Sequence, residues 1–177
     1  LLDEQQRPTH MPRGPAKRTG PGFLNPAMAP ARTRSVLLLN DALEHGWLVS
    51  DNKSIRVLDA LCATGVRIRR WRNEIPMLNQ NRLRITANDL DEFALNWARH
   101  SHSTHPPHQP IEHEPEDDRY GKTSNQVFEN GLDFRQMDAR IAMLETGYQW
   151  IDLDPFGSPV QFLDAALQGL SRNGVLE

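Results

Sequence analysis

The sequence has few of the features that mark secreted, membrane-spanning or strongly basic proteins. Its single cysteine, Cys62, excludes a disulfide or a cysteine-based zinc site within the chain. No apolar run approaches the ~20 residues that span a bilayer, and the first residues do not resemble a signal peptide. The net charge of −3 gives no support for nucleic-acid binding by overall charge. These absences predict a soluble, intracellular protein of the cytoplasm with no membrane partner.

Two segments differ in composition from the rest of the chain. Residues 1–22 are rich in proline, glycine and basic side chains without periodicity, which is typical of a flexible arm. Residues 101–125 hold His, Pro, Ser, Glu and Asp and almost nothing apolar, which predicts a disordered insertion. The remaining residues of 23–177 are enough for one domain with a sizeable core.

Outside these segments, β-type runs and helical patterns alternate along the chain. The predicted strands are 55–59, 83–87, 133–137 and 148–153, with a fifth beginning at Val175 after a turn at Asn173-Gly174. The predicted helices are 32–47, 66–74, 91–100, 139–145 and 159–170. Strict alternation predicts an α/β, Rossmann-like fold, a parallel sheet with helices on both faces. Because the chain stops as the fifth strand begins, we expect this sheet to be incomplete at its C-terminal end.

Some side chains that could carry chemistry are predicted to be structural instead. Trp47, Trp71 and Trp97 fall on predicted helices and are expected in the core, and Cys62 is expected to be a small packing residue. The five histidines between His100 and His113 lie in a proline-rich stretch without metal-ligand spacing. We therefore predict no metal site.

Aspartates follow the first four predicted strands, as Asp59, Asp89, Asp138 and Asp154. Ligands of parallel α/β sheets bind at the carboxyl ends of the strands, where these side chains should meet. Aspartate is also a common helix N-cap, so each of them could simply cap the helix that follows. Their presence after all four strands favours a ligand site.

The turn from Asp59 to Gly65 is rich in small residues, so the backbone can approach a ligand closely. It has neither the three-glycine fingerprint of dinucleotide sites nor the Gly-Lys-Ser/Thr of a phosphate loop. A nucleoside cofactor without phosphates, such as S-adenosylmethionine, fits better. Asp89 could then accept both ribose hydroxyls. Asp138 could accept the adenine amino group, with the small Ala139 leaving room for the ring.

The most informative segment is Asp154-Pro155-Phe156-Gly157, which ends the fourth strand. Proline cannot continue a central strand, so the chain must turn outward there. A carboxylate and the proline carbonyl can accept the two N–H groups of a base amine, and the aromatic ring can stack on the base. Asp154, Pro155 and Phe156 are therefore the predicted catalytic residues of a base amino-methyltransferase. The alternative is a strand-end turn with a buried phenylalanine.

Five segments together resemble the tRNA guanine N2-dimethyltransferases that act at position 26, a family of class I S-adenosylmethionine-dependent methyltransferases. They are FLNPAMAPARTRSV at 23–36, VLDALCATGVR at 57–67, ITANDLD at 85–91, MDARIAML at 137–144 and IDLDPFGSPVQFLDAAL at 151–167. The resemblance implies S-adenosylmethionine as cofactor, tRNA as partner, and a C-terminal domain that this sequence does not contain.

The resemblance also implies site residues. Arg32 and Arg67 match cofactor-binding arginines, and Phe23 would line the cofactor pocket. Asp89, Asp138 and Ala139 match the ribose and adenine positions, and Asp154 matches the catalytic aspartate. Two alternatives stay open at this point: methylation of an amine on another nucleic acid, and a truncated, non-catalytic relative that serves as a binding module. A nicotinamide-dependent oxidoreductase is disfavoured by the missing glycine fingerprint.

Overall fold

A computed structural model of the chain describes residues 24–49, 53–104 and 131–177. Five strands form one sheet in the order β3-β2-β1-β4-β5, and every neighbouring pair is parallel. The strands are β1 Ile55–Asp59, β2 Leu83–Asn88, β3 Leu132–Arg135, β4 Tyr148–Asp152 and β5 Leu170–Leu176. The predicted parallel α/β fold is confirmed. The predicted arm at 1–22, Phe23 and residues 105–125 of the predicted insertion lie outside the described residues.

Six α-helices of the described residues cover the two faces of the sheet. They are α1 Ala29–Glu44, α2 Val66–Glu74, α3 Met77–Gln80, α4 Glu92–Thr104, α5 Ala139–Leu144 and α6 Val160–Gly169. Successive strand residues point to opposite faces, so Val57 packs with α1, α2 and α4 while Leu58 packs with α5 and α6. The helices that follow β1 and β4 thus lie on opposite faces, which opens a crevice between these two strands.

Three predicted boundaries are wrong. The helix predicted at 32–47 spans Ala29–Glu44, because Pro30 is well placed in a first turn and Gly46 leaves the helix with a φ of +64°. Helix α4 continues to Thr104, so the predicted insertion cannot begin at 101, and the buried Ser101 hydroxyl donates to the Trp97 carbonyl at 2.8 Å. The predicted Asn173-Gly174 turn lies inside β5. The pairing of β5 with β4 is irregular there, because its register shifts between Tyr148 and Trp150.

The prediction that Trp47, Trp71 and Trp97 lie in the core is confirmed for Trp71 and wrong for the other two. Trp71 is fully buried, and its indole N–H donates to Ser35 Oγ at 3.0 Å. Trp47 follows the end of α1, and Trp97 lies on the outer side of α4; both are more than half exposed. Helix α4 instead packs through Ala94, Leu95 and Ala98, and its two small alanine side chains allow a close approach to the sheet. None of the helices in the described ranges combines the length and apolar composition that a membrane crossing requires.

Candidate functional site

A cavity of about 470 Å³ opens at the carboxyl edge of the sheet, beside the crevice between β1 and β4. Four stretches of chain line it: the residues leading into α1, the turn after β1, the residues after β2, and the segment after β4. Five aspartates and two arginines supply its charged lining: Asp59, Asp89, Asp91, Asp152, Asp154, Arg32 and Arg67. The cavity wall therefore carries more acidic than basic groups.

The turn after β1 is held by backbone hydrogen bonds and needs a glycine at its end. The Cys62 N–H donates to the Asn88 carbonyl at 2.8 Å, and the Gly65 N–H donates to the Cys62 carbonyl at 2.7 Å. Gly65 has a φ of +68°, and a Cβ added to it would lie 2.9 Å from the Cβ of Ala98 on α4. Both the left-handed backbone and the close helix thus require glycine here. Four residues of this turn line the cavity: Leu61, Cys62, Ala63 and Thr64.

Asp89 faces the cavity with its carboxylate fixed from two sides. Its Oδ2 accepts the Ala63 N–H at 2.8 Å and its Oδ1 accepts the Asp91 N–H at 2.9 Å. The N-cap of α4 is Asp91, whose Oδ1 accepts from Phe93 N at 3.0 Å. Asp89 is thus not the helix cap, and its oxygens keep lone pairs for a ligand's hydroxyl groups.

Asp138 caps α5, which was the alternative interpretation for this residue. Its Oδ1 accepts the Arg140 N–H at 2.8 Å, and the Arg140 guanidinium binds both carboxylate oxygens. These bonds lower the pKa of Asp138 to about 2. Neither Asp138 nor the buried Ala139 belongs to the cavity wall, although both follow β3 at the same edge of the sheet. Capping does not exclude a second acceptor role, so the adenine assignment stays a prediction.

Arg67 forms the centre of an acidic cluster on the inner side of the cavity. Its Nη1 donates to Asp152 Oδ1 at 2.7 Å, and its Nη2 donates to Asp154 Oδ2 at 3.1 Å. Nη1 also lies 3.4 Å from Glu177 Oε1. The Arg67 and Asp152 side chains are almost fully buried, whereas that of Asp154 is 43% exposed. The guanidinium therefore ties the exposed carboxylate to a buried one.

Asp59 and Asp152 are register partners on the adjacent strands β1 and β4, and both are buried. Burial raises the pKa of Asp59 to about 7; the nearby Arg67 opposes this rise, and the Asp89 and Asp154 carboxylates add to it. Burial, together with Asp59, also raises the pKa of Asp152 well above its ordinary value. Neighbouring buried carboxyl groups hold protons more tightly than exposed ones, so this end of the cavity favours bound protons or other positive charges.

The predicted reaction segment forms the outer part of the cavity. Asp154, Pro155, Phe156 and Gly157 all line it, and the Phe156 side chain is 58% exposed. Gly157 has a φ of +91° with no atom within 4 Å of an added Cβ, so it provides an open turn. Phe156 is therefore not a buried core residue, which was the alternative to its functional assignment.

Arg32 completes the predicted set. It is buried at the start of α1, lines the cavity, and donates from Nη2 to the Asn25 carbonyl at 3.2 Å. The structure thus brings together Arg32, Asp59, Arg67, Asp89 and the Asp154–Phe156 segment, and leaves Asp138 and Ala139 outside the cavity wall. Phe23 lies outside the described residues. No cluster that could hold a metal ion occurs in the described part of the chain.

Two residues near the cavity were missed from the sequence. Asp152 stands two residues before Asp154, and the alternation of a strand would have placed both carboxylates on one side. Asn88 ends β2 beside Asp89, and nothing in the sequence showed that its side chain reaches the loops after β1 and β3.

Comparison with known proteins identifies similar sequences and structures. The family model described as N2,N2-dimethylguanosine tRNA methyltransferase matches residues 6–177. A tRNA (guanine(26)-N(2))-dimethyltransferase of Pyrococcus furiosus is 33% identical over 168 residues, which are 94% of this chain and 38% of that protein. A human tRNA (guanine(27)-N(2))-dimethyltransferase is 25% identical over 135 residues, 73% of this chain and 17% of the human protein.

Among solved structures, the complex of Trm1 from Pyrococcus horikoshii with S-adenosyl-L-methionine is similar, with a TM-score of 0.61 and 31% identity. The match covers 87% of this chain and 36% of that one. The chain spans less than half the length of the curated relatives that it matches.

Proposed function

The chain belongs to the N2,N2-dimethylguanosine tRNA methyltransferase family, and on that premise we propose that it carries the site that transfers methyl groups from S-adenosylmethionine to N2 of guanine 26 in tRNA. The observation that carries the proposal is the position of Asp154, Pro155 and Phe156. They line the same cavity as Asp59 and Asp89, which follow the neighbouring strands β1 and β2. One end can thus hold a nucleoside cofactor while the other receives a base.

The residues of the cavity suit S-adenosylmethionine. Asp89 presents a fixed carboxylate to a ribose diol, and the Gly65 turn admits a ligand close to the backbone. Arg67 is already paired with Asp152 and Asp154, so the wall offers little to a polyphosphate. The crowding of carboxyl groups around Asp59 favours a ligand with positive charges, which the sulfonium and amino groups supply. When bound, the cofactor provides a methyl group activated by its positive sulfur.

The amine of guanine is a weak nucleophile because its lone pair is delocalised into the ring, so the protein must orient it. We assign this role to the Asp154 carboxylate and the Pro155 carbonyl, each accepting one N–H. Phe156 stacks on the base, which contributes ~1–3 kcal/mol. Transfer of the methyl group breaks its bond to sulfur, forms the new N–C bond and releases a proton from nitrogen; we assign to the partly exposed Asp154 the acceptance of this proton and its release to solvent.

Arg67 gives this carboxylate a defined orientation. One of the two Asp154 oxygens is occupied by Arg67 Nη2, so the other points the remaining lone pairs toward an incoming amine. Because Arg67 is buried and held by Asp152, it limits the rotation of Asp154. A preoriented acceptor needs little reorganisation when the amine binds.

Position 26 is favoured over position 27 by the similarity of the relatives. The position-26 enzyme of Pyrococcus furiosus is 33% identical over 94% of this chain, against 25% over 73% for the human position-27 enzyme. Both act on the same amine of the same base, so the cavity chemistry is common to them. Position 27 is therefore the second candidate.

The test is methyl transfer to two tRNA transcripts. The first has guanine at position 26 and another base at position 27, and the second has guanine at position 27 and another base at position 26. Nucleosides are then analysed by mass spectrometry for N2-methyl- and N2,N2-dimethylguanosine. We expect product from the first transcript, lost in Asp154→Asn and kept in Asp164→Asn, an exposed aspartate on α6. Product from the second transcript alone would move the assignment to position 27, and full activity of Asp154→Asn would refute the catalytic role. Calorimetry with S-adenosylmethionine measures cofactor binding separately.

A further inference from the structure

Asn88 is fully buried at the end of β2, between the strands β1 and β3. Its side-chain Nδ2 donates to the Ala60 carbonyl at 3.0 Å and to the Met137 carbonyl at 3.1 Å. Ala60 lies in the turn after β1, and Met137 lies in the loop after β3. One amide group thus joins the turn after β1 to the loop after β3.

The backbone of Asn88 adds a third connection. Its carbonyl accepts the Cys62 N–H at 2.8 Å, and the next residue, Asp89, accepts the Ala63 N–H at 2.8 Å. The turn after β1 is therefore fastened to the end of β2 at three residues, Ala60, Cys62 and Ala63. The loop after β3, which leads into Asp138, is fastened to the same point through the Asn88 side chain.

The orientation of the amide follows from its partners. Both neighbours are carbonyl oxygens, so the NH₂ group must face them, and the Oδ1 atom has no hydrogen-bond partner among the described residues. The side chain therefore acts through its two donated bonds. A carboxylate in its place could donate neither, and a hydroxyl could donate only one.

We propose that Asn88 is a positioning residue of the cofactor site, whose amide holds the loops after β1 and β3 at the separation that a bound nucleoside needs. The inference rests on the proposed function, because it takes the cavity as the cofactor site and Asp138, outside the cavity wall, as the acceptor for the adenine amine. Asn88 does not line the cavity, so it acts only through the loops that carry Asp59, Gly65 and Asp138. Loops held in place before binding need not be ordered by the ligand, which strengthens binding.

The test compares Asn88→Ala with Asn79→Ala. Asn79 is a buried asparagine on α3 whose Nδ2 donates to Asn40 Oδ1 at 3.0 Å, and it does not line the cavity. Calorimetry at a temperature where both variants are folded should show S-adenosylmethionine binding weakened about 10- to 100-fold in Asn88→Ala, the range typical of residues that orient a site from behind. Binding by Asn79→Ala should be little changed. Equal weakening in both variants would refute the positioning role.

Amide hydrogen exchange of the ligand-free protein supplies a readout that does not depend on the cofactor. The reporters are the Ala63 amide in the turn after β1, which donates to Asp89, and the Arg140 amide at the start of α5, which donates to Asp138. Both should exchange faster in Asn88→Ala and not in Asn79→Ala; unchanged exchange at either one overturns the inference. If the wild-type protein does not bind S-adenosylmethionine, the proposed function fails while exchange still decides the loop bridge. Asn88→Ser keeps one donor, so its cofactor affinity and its exchange rates should lie between those of the wild type and Asn88→Ala. It replaces Asn88→Ala if that variant does not fold.

Discussion

The Arg67 guanidinium lies 3.1 Å from the Asp154 carboxylate and anchors this exposed side chain to the protein interior. The anchor is firm because the same guanidinium donates at 2.7 Å to Asp152, which is buried. Arg67 is thus both part of the cavity wall and a link between the buried acidic cluster and the predicted catalytic residue. Its replacement should affect stability and reaction together.

Arg67→Met should destabilise the protein by about 3–5 kcal/mol, because it leaves the buried Asp152 without its cation. Arg67→Lys should lose less stability, since it keeps the charge, but it cannot form the two-pronged contact with Asp152 and Asp154. Both are measured by chemical denaturation. The control is Arg140→Met, which removes an exposed arginine paired with Asp138 and should change stability little. A stability loss in Arg67→Met no larger than the control's would contradict the assigned anchor.

Gly65→Ala should lower stability by about 2–4 kcal/mol, because alanine is strained in the left-handed region and its Cβ would press on Ala98. S-adenosylmethionine binding should weaken as well, since the turn lines the cavity. Thermal unfolding and calorimetry measure the two effects. Gly147→Ala is the control, because an added Cβ there meets only Ser171 Oγ, at 3.2 Å, far from the turn after β1. If Gly65→Ala bound the cofactor like the wild type, the turn would not be part of its site.

Phe156→Leu should reduce methyl transfer to tRNA about 5- to 150-fold, the equivalent of the 1–3 kcal/mol that base stacking contributes. Stability should be nearly unchanged because the ring is more than half exposed. Phe156→Tyr keeps an aromatic face and should retain most activity. The matched control is Phe93→Leu, another exposed phenylalanine, on α4. Steady-state rates at several tRNA concentrations test this, and an equally active leucine variant would rule out stacking by Phe156.

The free energy of unfolding should fall as the pH rises from about 4 to about 7, because of Asp59. Burial raises the pKa of Asp59 from 3.8 to about 7, so in this range the folded protein holds a proton that the unfolded chain releases. The contribution is fully present below pH 3.8 and is lost as the pH rises through about 7. Asp138 has the opposite effect on stability. Because its pKa is lowered to about 2, its contribution is lost as the pH falls below its ordinary pKa.

Denaturation curves at several pH values check this prediction. Asp59→Asn cannot titrate, so its stability should vary less between pH 4 and 7 than that of the wild type. Some slope should persist, because burial also raises the pKa of Asp152. Asp164→Asn, at an exposed position, should keep the wild-type slope. The Asp59 assignment fails if both variants show the same dependence on pH.

The alternation of strand and helix, and with it the parallel α/β fold, could be read from the sequence. A buried parallel strand such as Ile55–Asp59 is a short apolar run, and its pattern is local. The residues that follow each strand were also predictable, because all parallel strands end at the same edge of the sheet. The boundaries of helices were harder to predict. Helix α4 continues to Thr104, beyond its predicted end, because helix ends depend on local hydrogen bonds that composition does not reveal.

What the sequence by itself determined is therefore the fold class and the set of polar residues, Asp59, Asp89 and Asp154 among them, at one edge of a sheet. Only the tertiary structure decided how these residues are paired. It placed Asp152 in register with Asp59 and paired Asp152 with Arg67, which is 85 residues away along the chain. It also turned Asp138 toward Arg140 and placed Asn88 between two loops. Such pairings depend on strand order and on side-chain distances across the sheet, which local patterns in a sequence do not encode.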